Sequence, residues 1–124
     1  MKHSTTLILL VQLVLCYSCH NYSDEQTLST DVYNYSIRRA AVRGDAWSRT
    51  PEAISKHLFP ARTQGEGNRS YAVQIDNKSN TSCVVSVEDE GAVEGEMRGQ
   101  RWNASFEQKG NGWQLTKLTR SVKQ

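Results

Sequence analysis

Asparagine carries the most conspicuous pattern in this chain of 124 residues. Six of its seven asparagines, Asn21, Asn34, Asn68, Asn77, Asn80 and Asn103, have a serine two residues on with no proline between, the acceptor triplet for N-glycosylation. The chain holds 22 serines and threonines, from which its asparagines would form roughly one such triplet by chance. Each places its side-chain amide in a leader, loop, turn or polar face by the element reading below, within reach of a glycosyltransferase. In a bacterium the same residues would simply serve turns, which favour Asn and Ser. Cys19 offers a second modification. Standing just after an apolar run, at the first position left by cleavage, its thiol could take a lipid and tether the protein to a bacterial membrane. The residue three before it is Cys16, where that attachment pattern has leucine. A Cys19 to Cys83 disulfide is the alternative in an oxidising compartment.

Groups for acid–base or nucleophilic chemistry are sparse. Such catalysis needs a proton-exchanging group within reach of a partner. Beyond residue 18 the histidines are His20 and His57, and His57, beside Leu58 near a helix end, reads as a surface residue. The acids Glu88, Asp89, Glu90, Glu94 and Glu96 are of a type that suits hard cations, but they lack the regular spacing of a calcium loop. They read as a solvated turn and sheet edge, where charge deters aggregation. The cysteines and histidines show no zinc spacing. Arg43-Gly44-Asp45 spells an adhesion tripeptide at a place where a glycine is wanted to stop a helix. No catalytic residue, metal or cofactor is expected.

The elements that must position these residues begin after an export signal. Residues 1–18 run from Lys2 through the apolar stretch Leu7 to Leu15, broken only by Gln12, to small and polar residues, the order of a cleavable signal peptide. That stretch is well short of the roughly 20 residues that cross a bilayer as a helix, so no permanent span is expected. Removing the first 18 of 124 residues leaves 106, the size of one domain. Losing Lys2 lowers the net charge from +2 to about +1, too little to argue for nucleic acid. Residues 19–28 are polar and read as a flexible leader, and 29–124 as a single domain.

Two helices are expected first. Tyr33, Ile37, Ala40 and Ala41 fall on one face of a 3.6-residue period, with Gly44 as the stop. Thr50, Pro51 and Glu52 form a helix start, and Ile54 and Leu58 share a face before Pro60 ends it. From Ser70 the period becomes 2, and five strands follow. They centre on Tyr71 to Ile75, Cys83 to Val87, Val93 to Met97, Trp102 to Phe106, and Trp113 to Leu118. Turns are expected at Asp76 to Asn80, Asp89 to Gly91 and Gly110 to Gly112, and the phase shift before Leu118 predicts a bulge. The fold class is α+β, two N-terminal helices packed on a curled antiparallel sheet of about five strands.

The helix ending Arg39-Ala40-Ala41-Val42-Arg43-Gly44-Asp45 and the terminal strand Asn111-Gly112-Trp113-Gln114-Leu115, taken with this order of elements, resemble the cone-shaped α+β roll of the nuclear-transport-factor and polyketide-cyclase superfamily, and less closely the cystatin roll. This chain is shorter and lacks one of the usual strand and helix insertions. The resemblance implies that an enzyme of this kind would carry Asp, His or Tyr on inward strand positions. The inward positions expected here contain only Tyr71 and Cys83 as ionisable groups. The superfamily hosts enzymes, secretion-machinery parts and binding modules, so the fold does not fix the function.

These readings lead to an exported, non-catalytic binding or accessory module of the bacterial cell envelope, periplasmic, envelope-attached or secreted. Its expected partner is another protein, held at the sheet's concave face or rim, with Tyr71, Trp102 and Trp113 as the candidate surface. The alternatives are a secreted N-glycosylated ligand or inhibitor of eukaryotic or viral origin, and a small enzyme of the cyclase or isomerase type.

Overall fold

In the computed structural model, residues 22–62, 70–93 and 96–123 are described. The signal peptide, Cys19, Asn21 and Asn68 lie outside them. In chain order the elements are β1 (Gln26–Leu28), α1 (Asp31–Arg43), a single 3-10 turn (Ala46–Ser48), α2 (Pro51–Leu58), β2 (Ser70–Ser79), β3 (Ser82–Val93), β4 (Glu96–Lys109) and β5 (Gly112–Val122). The sheet is antiparallel, in the order β1-β5-β4-β3-β2. Two helices pack against it, and it curls without closing. This is the α+β class expected from the change of period.

Local chemistry sets the helix ends. Gly44 adopts φ 78° after α1, and the amides of Gly44 and Asp45 reach back to the carbonyls of Ala41 and Ala40 at 3.1 and 2.9 Å. That closure needs a left-handed residue, which glycine supplies without strain. Arg43 and Asp45, on either side of it, pair with each other at 2.9 Å. At α2 the Thr50 hydroxyl accepts from the Ala53 amide at 3.2 Å, and Pro51 occupies the first turn, where its missing N–H costs nothing.

The strands depart from expectation in two places. Asp89, Glu90 and Gly91 do not turn; they pair with Gln100, Gly99 and Arg98. β3 and β4 stay paired up to Ala92 opposite Met97 and Val93 opposite Glu96, so the expected third strand is the meeting point of β3 and β4. Alternation continuing on both sides outweighs the turn preference of Asp and Gly. The fifth strand comes instead from residues read as a loose leader: β1 pairs with β5, Leu28 opposite Leu118. Ser23 extends this edge, its amide donating to the Val122 carbonyl at 2.8 Å and its hydroxyl accepting from the Val122 amide at 3.0 Å. A smaller difference lies at the β2–β3 turn, which is confined to Asn80 and Thr81, so that Asn77 belongs to β2. The expected bulge is present: Ser105 faces Lys117 while Phe106 faces Leu115, leaving Thr116 as the extra residue.

The core is Ile37, Ile54, Phe59, Cys83, Val85, Val87, Ala104, Phe106, Leu115 and Leu118. The buried positions of α1 are Asn34, Ile37 and Ala40, whereas Ala41 is exposed. Pairing with β1 covers β5 only from Leu118 onward, and the Asn34 carboxamide takes the place of a strand beside Leu115. Its nitrogen donates to the Leu115 carbonyl at 2.9 Å, and its oxygen accepts from the Leu115 amide at 2.8 Å. This satisfies backbone groups that would otherwise be buried unpaired.

Candidate functional site

Because directly opposed residues share a face, the registers arrange the helix-covered side of the sheet in rows. One row holds Tyr71, Asp89 and Gln100, and the next holds Val73, Val87, Trp102 and Arg120. Ile75, Val85, Ala104 and Leu118 follow, then Asn77, Cys83, Phe106 and Leu115. The helices cover the middle rows. A depression remains at each end.

At the first end, the chain leaving α2 folds down onto the sheet and narrows the depression to a cavity of about 280 Å³. Phe59 stacks on Trp102 with ring centroids 4.6 Å apart and planes at 18°, and Tyr33 meets Phe59 at 5.7 Å in a tilted pair. Two polar side chains hold this cover in place. The Tyr71 hydroxyl donates to the Phe59 carbonyl at 2.7 Å, and the Arg62 amide donates to Asp89 Oδ2 at 2.7 Å. Burial raises the Tyr71 phenol pKa, and the neighbouring Asp89 charge raises it further. Arg120 completes the floor, its guanidinium carbon 5.4 Å from the Trp102 ring centre. Its Nε is shielded from solvent and has no hydrogen-bond partner among the described residues.

Asp89 therefore corrects the reading of a solvated acidic turn. It is only 4% exposed and lies inward, one step beyond Cys83, Val85 and Val87 in their own alternation. The expectation of an inner face nearly free of ionisable groups fails at Asp89 and Arg120. Glu88 and Glu90 lie on the opposite face, where Glu88 pairs with Arg101 at 2.7 Å. Glu90 takes the Tyr22 hydroxyl and sits 3.7 Å from Lys123. Tyr22 also lies under the Arg101 guanidinium at 4.2 Å, and its pKa is raised, first by burial and then by Glu90. Glu88, Asp89 and Glu90 are thus dispersed over two faces, Glu94 lies outside the described residues, and among the described residues no group of His, Cys, Asp and Glu converges as a metal site.

At the second end the depression stays open, as a groove of about 560 Å³ between the start of α2 and the tip of the β2–β3 hairpin. Pro51, Ile75 and Trp113 give it apolar walls, and Thr50, Asn77 and Asn80 give it hydroxyl and amide groups. Ile75 is 43% exposed. Cys83 borders the groove, but its thiol is buried and burial raises its pKa. That keeps it protonated and unreactive at neutral pH.

The candidate surface residues separate accordingly. Tyr71 and Trp102 belong to the closed end and Trp113 to the open one. His57 is exposed, as expected of a helix end, and stacks on Trp47 at 3.9 Å. Among the acceptor asparagines, Asn77 and Asn80 are exposed at the groove. Asn103 is half-buried, accepting from the Ser86 hydroxyl at 2.8 Å and donating to Glu25 at 3.0 Å. Asn34 overturns the expectation that every acceptor is reachable. It is 6% exposed and both ends of its carboxamide are committed to Leu115, so the folded chain has no room for a glycan there.

These features define the molecule as an α+β fold whose curled, unclosed sheet carries two unlike depressions on its inner face. No protein-family model, curated protein or solved structure matches the chain. Among the described residues, no helix is long and apolar enough to cross a membrane.

Proposed function

We propose that this chain is an exported, non-catalytic binding module of the bacterial cell envelope that holds an extended segment of a protein partner at the open end of its inner face. The observation that carries this reading is the exposed Ile75 on edge strand β2, which lines the groove together with Trp113. β2 ends the sheet, so its outer backbone edge has no strand partner among the described residues. An extended peptide can add to such an edge through its backbone, while alternate side chains enter the neighbouring groove. Pro51, Ile75 and Trp113 would receive apolar side chains, and Asn77 and Asn80 would bond polar ones. Of the groove's lining residues Glu52 is paired with Lys56 at 3.0 Å, Cys83 is buried and the other polar groups are neutral, which suits holding better than converting. Export rests on the signal pattern of residues 1–18, and the resemblance read from the sequence is to cone-shaped rolls, which include binding modules.

A photo-crosslinking residue placed at Ile75 in the living source cell tests this, with Val42 on α1, 89% exposed, as the control position. The expected result is a discrete protein adduct from position 75 that disappears in Trp113→Ala. Absence of that adduct, or the same adduct from position 42, would overturn the proposal.

The exposure of Asn77 and Asn80 favours a second reading, a secreted glycoprotein whose sugars flank the same groove. Expression in a glycosylating host should then add one or two glycans at these positions and none at Asn34. An unchanged mass removes that reading.

A further inference from the structure

We infer that the closed-end cavity is a binding site for a small monocarboxylate with a flat apolar body, its carboxylate held by Arg120. This site is separate from the groove and independent of the partner proposed there. A guanidinium keeps its charge at any ordinary pH and is suited to planar oxyanions. Arg120 lies half-buried with its Nε hidden from water and without a hydrogen-bond acceptor. No carboxylate of the described residues stands within ion-pair distance of it. Its one described compensation is the Trp102 ring face at 5.4 Å, which attracts a cation but accepts no conventional hydrogen bond. That Nε is as closed to a ligand as to water, but Arg120 also lines the cavity, and an oxyanion there would pair with the guanidinium through its other nitrogens.

The rest of the cavity defines the ligand. Half-buried Tyr33 and Trp102 line the cavity with ring surface, which suits an aromatic or other flat apolar body. Gln100, between Asp89 and Arg120 on the floor, offers an amide to a hydroxyl or carbonyl substituent. The single positive charge of Arg120 at the cavity matches a monoanion better than a phosphate dianion. The volume of about 280 Å³ is near the lower limit for small-molecule sites, which restricts the ligand to roughly one ring and its substituents.

Calorimetric titration of the purified exported protein at neutral pH, with benzoate and with its neutral isostere benzamide, tests the assignment. Benzoate should bind saturably and about tenfold or more tightly than benzamide, since charge-assisted contact to a half-buried arginine exceeds a neutral one. Arg120→Gln should remove that preference, and Val42→Ala, at an 89% exposed position of α1, should leave it intact. Nitrogen-15 spectra of the indole groups give a readout on the unmutated protein: the Trp102 signal should shift with benzoate while that of Trp113 stays fixed. Equal binding of the two compounds, no saturation by benzoate up to its solubility, or a shift at Trp113 in place of Trp102 would overturn the inference. So would a folded Arg120→Gln protein that still prefers benzoate.

Discussion

The two ends of the inner face are built from the same strands, and each carries a tryptophan, yet one is closed and the other open. What separates them is the chain around α2. Its C-terminal exit through Phe59 and Arg62 is tied down by Tyr71 and Asp89, whereas its N-terminus at Thr50 and Pro51 stands beside the hairpin tip and leaves a gap. A polar row on the sheet therefore decides where the helix seals the sheet and where it does not. Closure at one end buries a carboxylate and half-buries an arginine. Openness at the other leaves an isoleucine and a strand edge available to a partner.

Removing the cover should produce the largest effect. Phe59→Ala deletes a 3% exposed ring stacked on Trp102 and should cost about 3 to 5 kcal/mol in urea unfolding. The same change would enlarge the cavity toward the dimensions of the groove. Asn34→Ala should follow at about 2 to 3 kcal/mol, because the Leu115 amide and carbonyl lose their partners in a buried setting. That substitution should weaken the whole sheet edge without altering either depression.

Tyr71→Phe sharpens the comparison. It removes only the bond to the Phe59 carbonyl, so about 1 kcal/mol is expected, with faster hydrogen exchange confined to the α2 exit. Tyr71 also predicts a pH dependence. Burial raises its phenol, like that of Tyr22, above the ordinary tyrosine pKa of 10.0 in the folded chain. A pKa raised by folding means that the unfolded chain loses its proton first. Stability should hold below pH 10 and fall as pH rises beyond it, and the double change Tyr22→Phe with Tyr71→Phe should flatten that fall. The smallest effect belongs to the open end: Ile75→Thr, at a largely exposed position, should change stability by no more than about 0.5 kcal/mol.

The signals legible in the sequence were those that act locally. Thr50-Pro51-Glu52, Gly44, the period of 2 and the phase shift before Leu118 each describe the geometry of neighbouring residues, and each corresponds to a cap, a strand or a bulge in the fold. Residues whose roles depend on distant strands read differently. Asp89 has the composition of a turn, and only the pairing of β3 with β4 carries it inward. Asn34 looks like a polar helix position until β5 presents an edge that β1 does not reach. β1 itself is three residues of polar leader whose partner lies near the other end of the chain. For Asp89 a signal was available, since Cys83, Val85 and Val87 point to position 89 as the next inward residue. Arg120 had one too, two positions beyond Leu118. In both cases charge argued for the surface, and the alternation gave the better answer.

The contrast between a sealed end and an open end can be measured with the two tryptophans themselves. In a background of Trp47→Phe, one variant keeps Trp102 with Trp113→Phe, and the other keeps Trp113 with Trp102→Phe. Acrylamide should quench the fluorescence of Trp113, in its open groove, several times more strongly than that of Trp102, flanked by Phe59 and Arg120. Equal quenching, or stronger quenching of Trp102, would contradict the division of the inner face on which both assignments stand.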